Sequence, residues 1–334
     1  GTLGLSLTNF STRKIFQKGG WDPLPAGDGQ RLTLRAQSNG ISFQTYTFSF
    51  SEPWLGGKKP VSLTFSANHS INNWGAFSGT TSKFSTTNIS VGLGKRVKWP
   101  DNFFSVNAAI SYIRYNLDSF SFGIPNFIDD GDANAFELRL GISRFSTDDQ
   151  IFPTTGSTID FGVQLTPPIS LLNNKDYSTL GAQEKYKWIE YYKWKFTADW
   201  YTPIVQNLVL KTKAGVGFLG FFNEDIGHAP FERFYLGGSG LTGFQLDGRE
   251  IIALRGYDDG SVSPITGGTS IAKYTAELRY PLSLNPNATI YMLTFAEAGN
   301  TWNDFSNFQP FNVNKSAGVG VRIFLPMFVL KRPV

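Results

Sequence analysis

Apolar and polar residues alternate at every second position along almost the whole chain. The pattern is clean in residues 136–143, 158–165 and 316–323, where each apolar residue lies between polar residues or glycines. Successive side chains of a β-strand point to opposite faces, so this period predicts strands with one apolar and one polar face. Such a chain can fold into a soluble β-sandwich or into a β-barrel that exposes its apolar face to lipid.

Strand length favours the barrel over the sandwich. Strands of globular proteins have roughly 5–6 residues, whereas a tilted strand that spans a bilayer needs about 9–11. The alternating runs predict about thirteen strands, most of them near ten residues or longer. They lie near 2–9, 29–38, 41–52, 60–70, 86–97, 102–116, 133–146, 156–166, 186–202, 205–221, 269–282, 288–302 and 315–326.

The connections between these strands fall into two sets. Compact, turn-like connections are predicted at 52–60, 98–102, 202–207 and 281–287, and longer ones at 71–85, 117–132, 167–185, 223–268 and 303–314. The tight hairpin signal Asn39-Gly40 is the exception. Short turns at one rim and long loops at the other are typical of a transmembrane antiparallel β-barrel.

The composition agrees with a barrel and argues against other classes. Aromatic residues make up 15% of the chain and charged residues only 17%. Six of the tryptophans fall at or towards strand ends, where a membrane–water interface would place them: Trp54, Trp99, Trp188, Trp194, Trp200 and Trp302. No apolar run reaches the roughly 18 residues of a membrane helix. The net charge of +4 is small and its cations are scattered, so we expect no nucleic-acid partner.

We expect no enzyme, cofactor or metal. The chain has no cysteine, and its two histidines, His69 and His228, are not spaced as metal ligands. The glycine motifs at 215–220 and 238–243 do not open a helix within a βαβ unit, as a dinucleotide site requires. The alternative to a protein without enzymatic activity is a lipase or protease whose catalytic residues form no local sequence motif.

The connection 223–268 is unusually long for a compact domain, and long loops are usually functional or disordered. It carries many apolar residues, which predict that it packs on another surface. At its centre lies Leu254-Arg255-Gly256-Tyr257. Its apolar and glycine residues include Phe231, Phe234, Tyr235, Gly237, Gly238, Leu241 and Phe244.

The strands after this loop carry charges on one face. Lys273, Thr275, Glu277 and Arg279 share the polar face of one strand, and Glu297 is the lone charge of the next. A carboxylate in a barrel lumen needs a cation or water, and arginine can bind it through two hydrogen bonds. One interpretation therefore pairs Arg255 with these carboxylates. The other pairs Glu277 with Lys273 or Arg279 and leaves Arg255 in solvent.

Several motifs resemble the C-terminal barrel of the BamA family of outer-membrane protein assembly factors. They are ERFYLGG, LRGY, AELRYPL, FAEAGNTW and SAGVGVRIFLP, together with the earlier EPWLGG and NFS (9–11). In that family the sixth extracellular loop folds into the lumen, and its arginine contacts acidic residues of the following strands. The resemblance implies that Arg255 pairs with Glu277 and Glu297. Leu254 in place of valine is a mild departure, as is tyrosine for the aromatic at Tyr257.

The resemblance also implies the domain organisation. Residues 1–334 form a single barrel domain in which the loop 223–268 folds inward. The family has sixteen strands, so Gly1–Asn9 would be the second and Lys315–Pro326 the fourteenth. The first strand, the last strands and the periplasmic POTRA domains would then lie outside this chain.

The function implied is that of an insertase of the bacterial outer membrane. It would fold and insert β-barrel proteins through a lateral gate and strand pairing with the client, without covalent chemistry. The implied partners are unfolded barrel clients, accessory outer-membrane lipoproteins, periplasmic chaperones and the lipid bilayer. The alternative is a polypeptide exporter of the two-partner secretion type. A passive porin is a weaker third class, since a packed loop obstructs the pore.

Overall fold

Thirteen antiparallel strands form one sheet, whose order follows the chain. The computed structural model describes residues 1–21, 23–57, 59–77, 82–120, 128–239 and 251–325. The strands are β1 (Thr2–Phe10), β2 (Gln30–Asn39), β3 (Phe43–Glu52), β4 (Val61–Asn73), β5 (Lys83–Arg96), β6 (Phe104–Asp118), β7 (Gly131–Phe145), β8 (Gly156–Leu165), β9 (Tyr192–Val205), β10 (Leu208–Gly220), β13 (Ser270–Asn285), β14 (Ala288–Trp302) and β15 (Asn314–Phe324). Within the described residues, no ladder joins β1 to β15.

The remaining elements are short. The two-residue strands β11 (Tyr235–Leu236) and β12 (Ile251–Ile252) pair in parallel inside the long loop. Two single-turn helices, α1 (Ile169–Leu172) and α2 (Ala182–Lys185), lie between β8 and β9, and 3₁₀ turns occur at Trp74–Phe77 and Phe305–Asn307. No helix in the described ranges is long and apolar enough to cross a membrane.

The observed strands differ from the sequence prediction mainly at their ends. β9 begins at Tyr192 and not at 186, because α2 ends immediately before that run and the N–H of Ile189 donates to the Asn134 carbonyl of β7 instead. The segments 202–207 and 281–287 are largely strand, and their turns are the two-residue connections 206–207 and 286–287. At Pro281 the ladder to β14 shifts register, since proline has no N–H to donate.

The connection 11–29, between β1 and β2, does not fit the prediction that one rim carries short turns and the other carries long loops. This long connection lies at the rim of the short turns, on the same side as the turns after β3 and β5. Backbone hydrogen bonds fold it, including that from Ser11 N–H to the Pro25 carbonyl at 2.9 Å. The arginine Arg13 reaches the carbonyl of Gly56 in the neighbouring turn.

The two faces of the sheet differ as the alternation predicts. On β7 the side chains of Leu138, Leu140 and Ile142 are exposed on the outer face, whereas Glu137 points inward and is buried. The same rule places Glu277 and Arg279 of β13 inside, and Tyr280 outside. The polar, glycine-rich face therefore lines the interior.

The loop 223–268 supplies the core around which the sheet curves. Phe231 stacks on Tyr115 of β6, while Phe234, three residues later, packs against Gly217 of β10. In a flat sheet β6 and β10 would lie four strand spacings apart, roughly 19 Å. The buried apolar cluster likewise joins Phe84 of β5 to Ile271 of β13 through the loop. The sheet thus wraps around the loop as a barrel wall.

We predict that the loop packs closely against β10 only when residue 217 is a glycine. A Cβ at Gly217 would lie 2.8 Å from the ring of the fully buried Phe234 and 3.2 Å from Ile271. Overpacking of this kind costs about 1–3 kcal/mol, so Gly217→Ala should lower the denaturant midpoint of unfolding. The matched control is Gly215→Ala, whose Cβ would make an ordinary contact at 3.5 Å with Thr197. Equal midpoints for the two variants would contradict the prediction.

Candidate functional site: the inserted loop and the lumenal carboxylates

A small buried scaffold presents the tip of the loop to the barrel wall. Tyr235 and Leu236 of β11 pair with Ile251 and Ile252 of β12, and Leu236 and Leu254 are completely buried. The N–H of Gly237 donates to the Ile252 carbonyl at 3.0 Å. The apolar residues that the sequence predicts to pack therefore do so, and they fix Leu254 immediately before the arginine. Leu241 and Phe244 lie outside the described residues.

The pair Gly237-Gly238 makes this scaffold possible. Both residues have positive φ, 138° and 88°, a region that side chains rarely adopt. A Cβ on Gly237 would lie 2.2 Å from the Asp258 carbonyl oxygen, so no side chain fits there. The N–H of Gly238 donates to the Tyr257 carbonyl at 2.9 Å. The two glycines thus bring the two halves of the loop together.

Arg255 contacts both carboxylates that the sequence singles out. Its Nη2 lies 3.0 Å from Oε2 of Glu277 and 2.9 Å from Oε1 of Glu297. Its backbone N–H donates to the other oxygen of Glu297 at 2.8 Å. Its guanidinium carbon lies 3.6 Å from the centre of the Phe295 ring, a cation–π geometry. Arg255 is therefore held by β13, β14 and an aromatic face at once.

Other cations complete the charge balance. Arg279 donates to Glu277 at 2.6 Å, and Nη2 of Arg322 on β15 lies 3.6 Å from the same carboxylate. Lys273 lies 3.4 Å from Glu297. The two alternatives that the sequence leaves open thus coexist, because Glu277 pairs with its strand neighbour Arg279 as well as with Arg255. Lys273 pairs with Glu297 and not with Glu277.

The residues after Arg255 bind the loop to a third strand. The hydroxyl of Tyr257 donates to the carbonyl of Lys315 on β15 at 2.9 Å. Gly256 has φ of 88°, and a Cβ there would lie 3.3 Å from Ser316. The four-residue tip 254–257 therefore joins β13, β14 and β15, which are consecutive in the sheet.

The other end of the described loop is anchored to β6 and β9. The Phe231 ring lies parallel to that of Tyr115 at 4.0 Å between centroids. Glu232 accepts from Lys193 of β9 at 3.0 Å, and the same ammonium lies 4.8 Å from the centre of the Phe234 ring. Sequence reasoning missed Glu232, Lys193, Phe295 and Arg322. The alternation places Lys193, Phe295 and Arg322 on the lumenal face, whereas Glu232 lies in the loop, and the partners of all four depend on the curvature of the sheet.

Arg233 shows that an arginine in this loop need not reach a carboxylate. It forms no ion pair in the described part of the chain, and its Nε has no hydrogen-bond partner there. Burial lowers the pKa of Arg233, an effect that the neighbouring Tyr235 and Tyr186 partly offset. The position of Arg255 at the tip, and not the residue type alone, therefore determines the pairing.

The charged side chains of the site pair with one another, and the aromatic ring of Phe295 packs against Arg255. The side chains of Glu277 and Glu297 are 2% and 4% exposed, and each has at least two cationic partners. No group of three His, Cys, Asp or Glu side chains in the described ranges is placed to hold a metal ion. The arrangement acts as a mechanical connection between the loop and the wall.

The chain belongs to the Omp85 superfamily, whose domain matches residues 26–332. It is similar in structure to BamA from Haemophilus ducreyi lacking POTRA domains 1–3, with 20% identity and a TM-score of 0.61. It is also similar to CdiB from Escherichia coli, with 14% identity and a TM-score of 0.52. The match covers 89% of this chain in both cases, but only 58% of the BamA chain and 50% of the CdiB chain. No curated protein sequence matches at a significant level.

These comparisons confirm the all-β barrel fold and, at the level of the superfamily, the resemblance. At 20% and 14% sequence identity, the similarity to these two structures shows a shared fold. The narrower assignment to the BamA branch remains a prediction.

We predict that Arg255→Ala destabilises the barrel by about 3 kcal/mol, the low end for breaking a buried ion pair, because Arg279 and Lys273 still compensate the carboxylates. The measurement is the temperature at which the folded band of the protein disappears on a semi-native gel. The matched control is Arg114→Ala, which removes an exposed pair with Asp132 at 2.8 Å and should cost at most about 1 kcal/mol. A similar loss in both variants would contradict a special role for Arg255.

The two carboxylates should differ in their effect on stability. Glu277→Gln would leave Arg279, which is only 3% exposed, without a carboxylate among the described residues. Glu297→Gln would leave Arg255 paired with Glu277, and would remove the carboxylate partner of Lys273, which is 14% exposed and keeps its hydrogen bond to the Ala253 carbonyl. Since an unpaired buried charge costs several kcal/mol, we expect Glu277→Gln to be more destabilising by about 1 kcal/mol or more. The unfolding midpoints of the two variants measure the difference, and the reverse order would show that Glu297 carries the network.

Proposed function

We propose that this chain is the barrel of a bacterial outer-membrane insertase that folds and inserts β-barrel proteins. The observation that carries the proposal is the loop 223–268, which fills part of the lumen and is fixed to the wall by Arg255, Glu277 and Glu297. A loop tied in this way obstructs the centre of the barrel. It directs a client to the wall, where strands can pair.

The outer surface supports an integral position in the membrane. Outward side chains of β6 are apolar or aromatic from Phe104 to Tyr112, about 27 Å of extended strand. Transmembrane barrels carry an apolar band of roughly 25 Å. Above it the outer face turns polar, beginning with Arg114 and its partner Asp132. The bacterial outer membrane is the location that the superfamily membership supports.

The lateral gate is the step at which the client would enter. By resemblance, it lies between the first and last strands of the full barrel, which pair weakly. An exposed strand edge offers unpaired N–H and C=O groups, so a client strand can add to it by β-augmentation. Each added hairpin replaces one edge by another, and backbone groups stay paired within the lipid. No covalent chemistry and no cofactor is needed.

The loop would keep the barrel in shape while the gate opens. The tip 254–257 binds three consecutive strands, and Phe231 and Glu232 bind β6 and β9. Strand separation elsewhere in the wall would then leave this brace intact. Unfolded barrel proteins are the proposed clients, with accessory lipoproteins and periplasmic chaperones as partners.

One observation favours a second candidate, a polypeptide exporter of the same superfamily. A cavity of about 500 Å³ remains beside the loop, lined by side chains of β6–β10 and β13 that include Arg139, Lys195 and Lys213. A chain in transit through the lumen would need such a space, together with movement of the loop.

Depletion of the full-length protein in its native host separates the two functions. The insertase predicts a broad loss of outer-membrane barrel proteins, measured by quantitative mass spectrometry of the membrane fraction. Complementation with Arg255→Ala should restore these proteins only in part, whereas Arg114→Ala should restore them fully. Loss of one secreted protein with normal barrel proteins would establish the exporter and refute the insertase.

A further inference from the structure

Exposed cations gather at the short-turn rim of β1–β6. They belong to the connection 11–29, the turn before β4 and the end of β5 with its turn. We call this set the basic rim, and it consists of Arg13, Lys14, Lys18, Lys59, Lys95, Arg96 and Lys98, all of which are exposed. Along the sequence these cations are scattered. The fold brings these seven to one edge because three successive hairpins turn there.

The basic rim has little internal compensation. In the described part of the chain none of its seven cations forms an ion pair, although Lys14 donates to the Ala26 carbonyl at 2.6 Å. The nearby Asp101 is already bound by Arg144 at 2.9 Å, which leaves Asp28 and Glu52 as the other carboxylates of this edge among the residues that the structure describes. The edge therefore has an excess of positive charge that faces outward from the protein.

Large exposed aromatic rings lie among these cations. Phe16 is 94% exposed, Trp99 83%, Trp21 59%, Trp54 54% and Phe103 51%. They occupy the same three connections as the cations. Tryptophan and phenylalanine interleaved with lysine and arginine are typical of surfaces that enter the headgroup region of a membrane.

The opposite half of the same rim has a different character. The connections 146–155, 206–207 and 286–287 contain no lysine or arginine. The strand ends beside them expose apolar residues instead, among them Val205, Leu282 and Leu284. Among the described connections of this rim, the lysines and arginines thus lie on one side of the barrel.

We propose that the basic rim binds anionic phospholipid headgroups of the adjoining leaflet. The rim continues directly from the lipid-facing surface, because Lys95 lies opposite Val61 and Val106 in the strand ladders, at the lower end of the apolar band. A phosphate there meets unpaired ammonium and guanidinium groups, while the acyl chains meet the band. The inference rests on the proposed position of the chain in a membrane.

An acidic face of a partner protein would satisfy the same charges, but it would leave the continuity with the apolar band unexplained. The rings also fit lipid better than a protein interface, since they are spread over three separate connections of the rim. Charge attraction to an anionic leaflet acts over about one Debye length and weakens with salt.

The test measures lipid selectivity of the full-length protein in phosphatidylcholine vesicles. Spin-labelled phosphatidylglycerol and spin-labelled phosphatidylcholine are compared for their association with the protein surface. We expect a preference of at least about threefold for the anionic lipid at low salt, lost at high salt. In the variant Lys59→Gln, Lys95→Gln, Lys98→Gln the preference should fall close to one.

The matched control neutralises three cations at the long-loop rim, Lys175→Gln, Lys185→Gln and Lys187→Gln, and should keep the preference. Semi-native gels establish that both variants fold. Equal association of the two lipids with the unaltered protein, or an unchanged preference in the first variant, would overturn the proposal and favour a protein partner. Failure of the protein to float with vesicles would instead overturn the membrane position itself, so the two outcomes are distinct.

Discussion

The buried carboxylates inside the barrel must be compensated by cations, and this requirement fixes the position of the loop relative to the wall. Glu277 and Glu297 face inward because the strands alternate, and a buried carboxylate without a cation costs several kcal/mol. Strand neighbours supply Arg279 and Lys273, and β15 supplies Arg322. Among the described residues, Arg255 is the partner that comes from outside the wall. Its pairing therefore brings a distant loop into the lumen and holds it there.

The loop in turn solves a packing problem of the barrel. The inner wall is apolar where it meets the loop, at residues such as Phe84, Ile113 and Ile271, and these side chains need an apolar partner inside the barrel. The loop contributes Phe234, Leu236 and Leu254 to that cluster and contacts strands on opposite sides of the sheet. It acts as core and as brace. Because the loop fills part of the interior, passage of a chain through the centre would require the loop to move.

Much of this arrangement could be predicted from the sequence, for identifiable reasons. Alternation gave the number of strands and the face of each residue, and the isolated charge at Glu297 marked a lumenal carboxylate. The motif around Arg255 pointed to both of its partners. The start of β9 was missed because Ile189 pairs with Asn134, a contact that no local pattern reports. The basic rim was missed because its cations lie far apart in the chain.

A period of two is a local property of the chain. The positions of the strands, their two faces and the residues able to pair can therefore be predicted from the sequence alone. Which of those residues contact one another depends on the tertiary structure. Curvature of the sheet brings Phe231 to Tyr115 and Tyr257 to β15, and places three hairpin turns side by side at the basic rim. It also let Glu277 bind Arg279 and Arg255 together, where the sequence offered a choice, because a carboxylate has two oxygens and the loop approaches the free one.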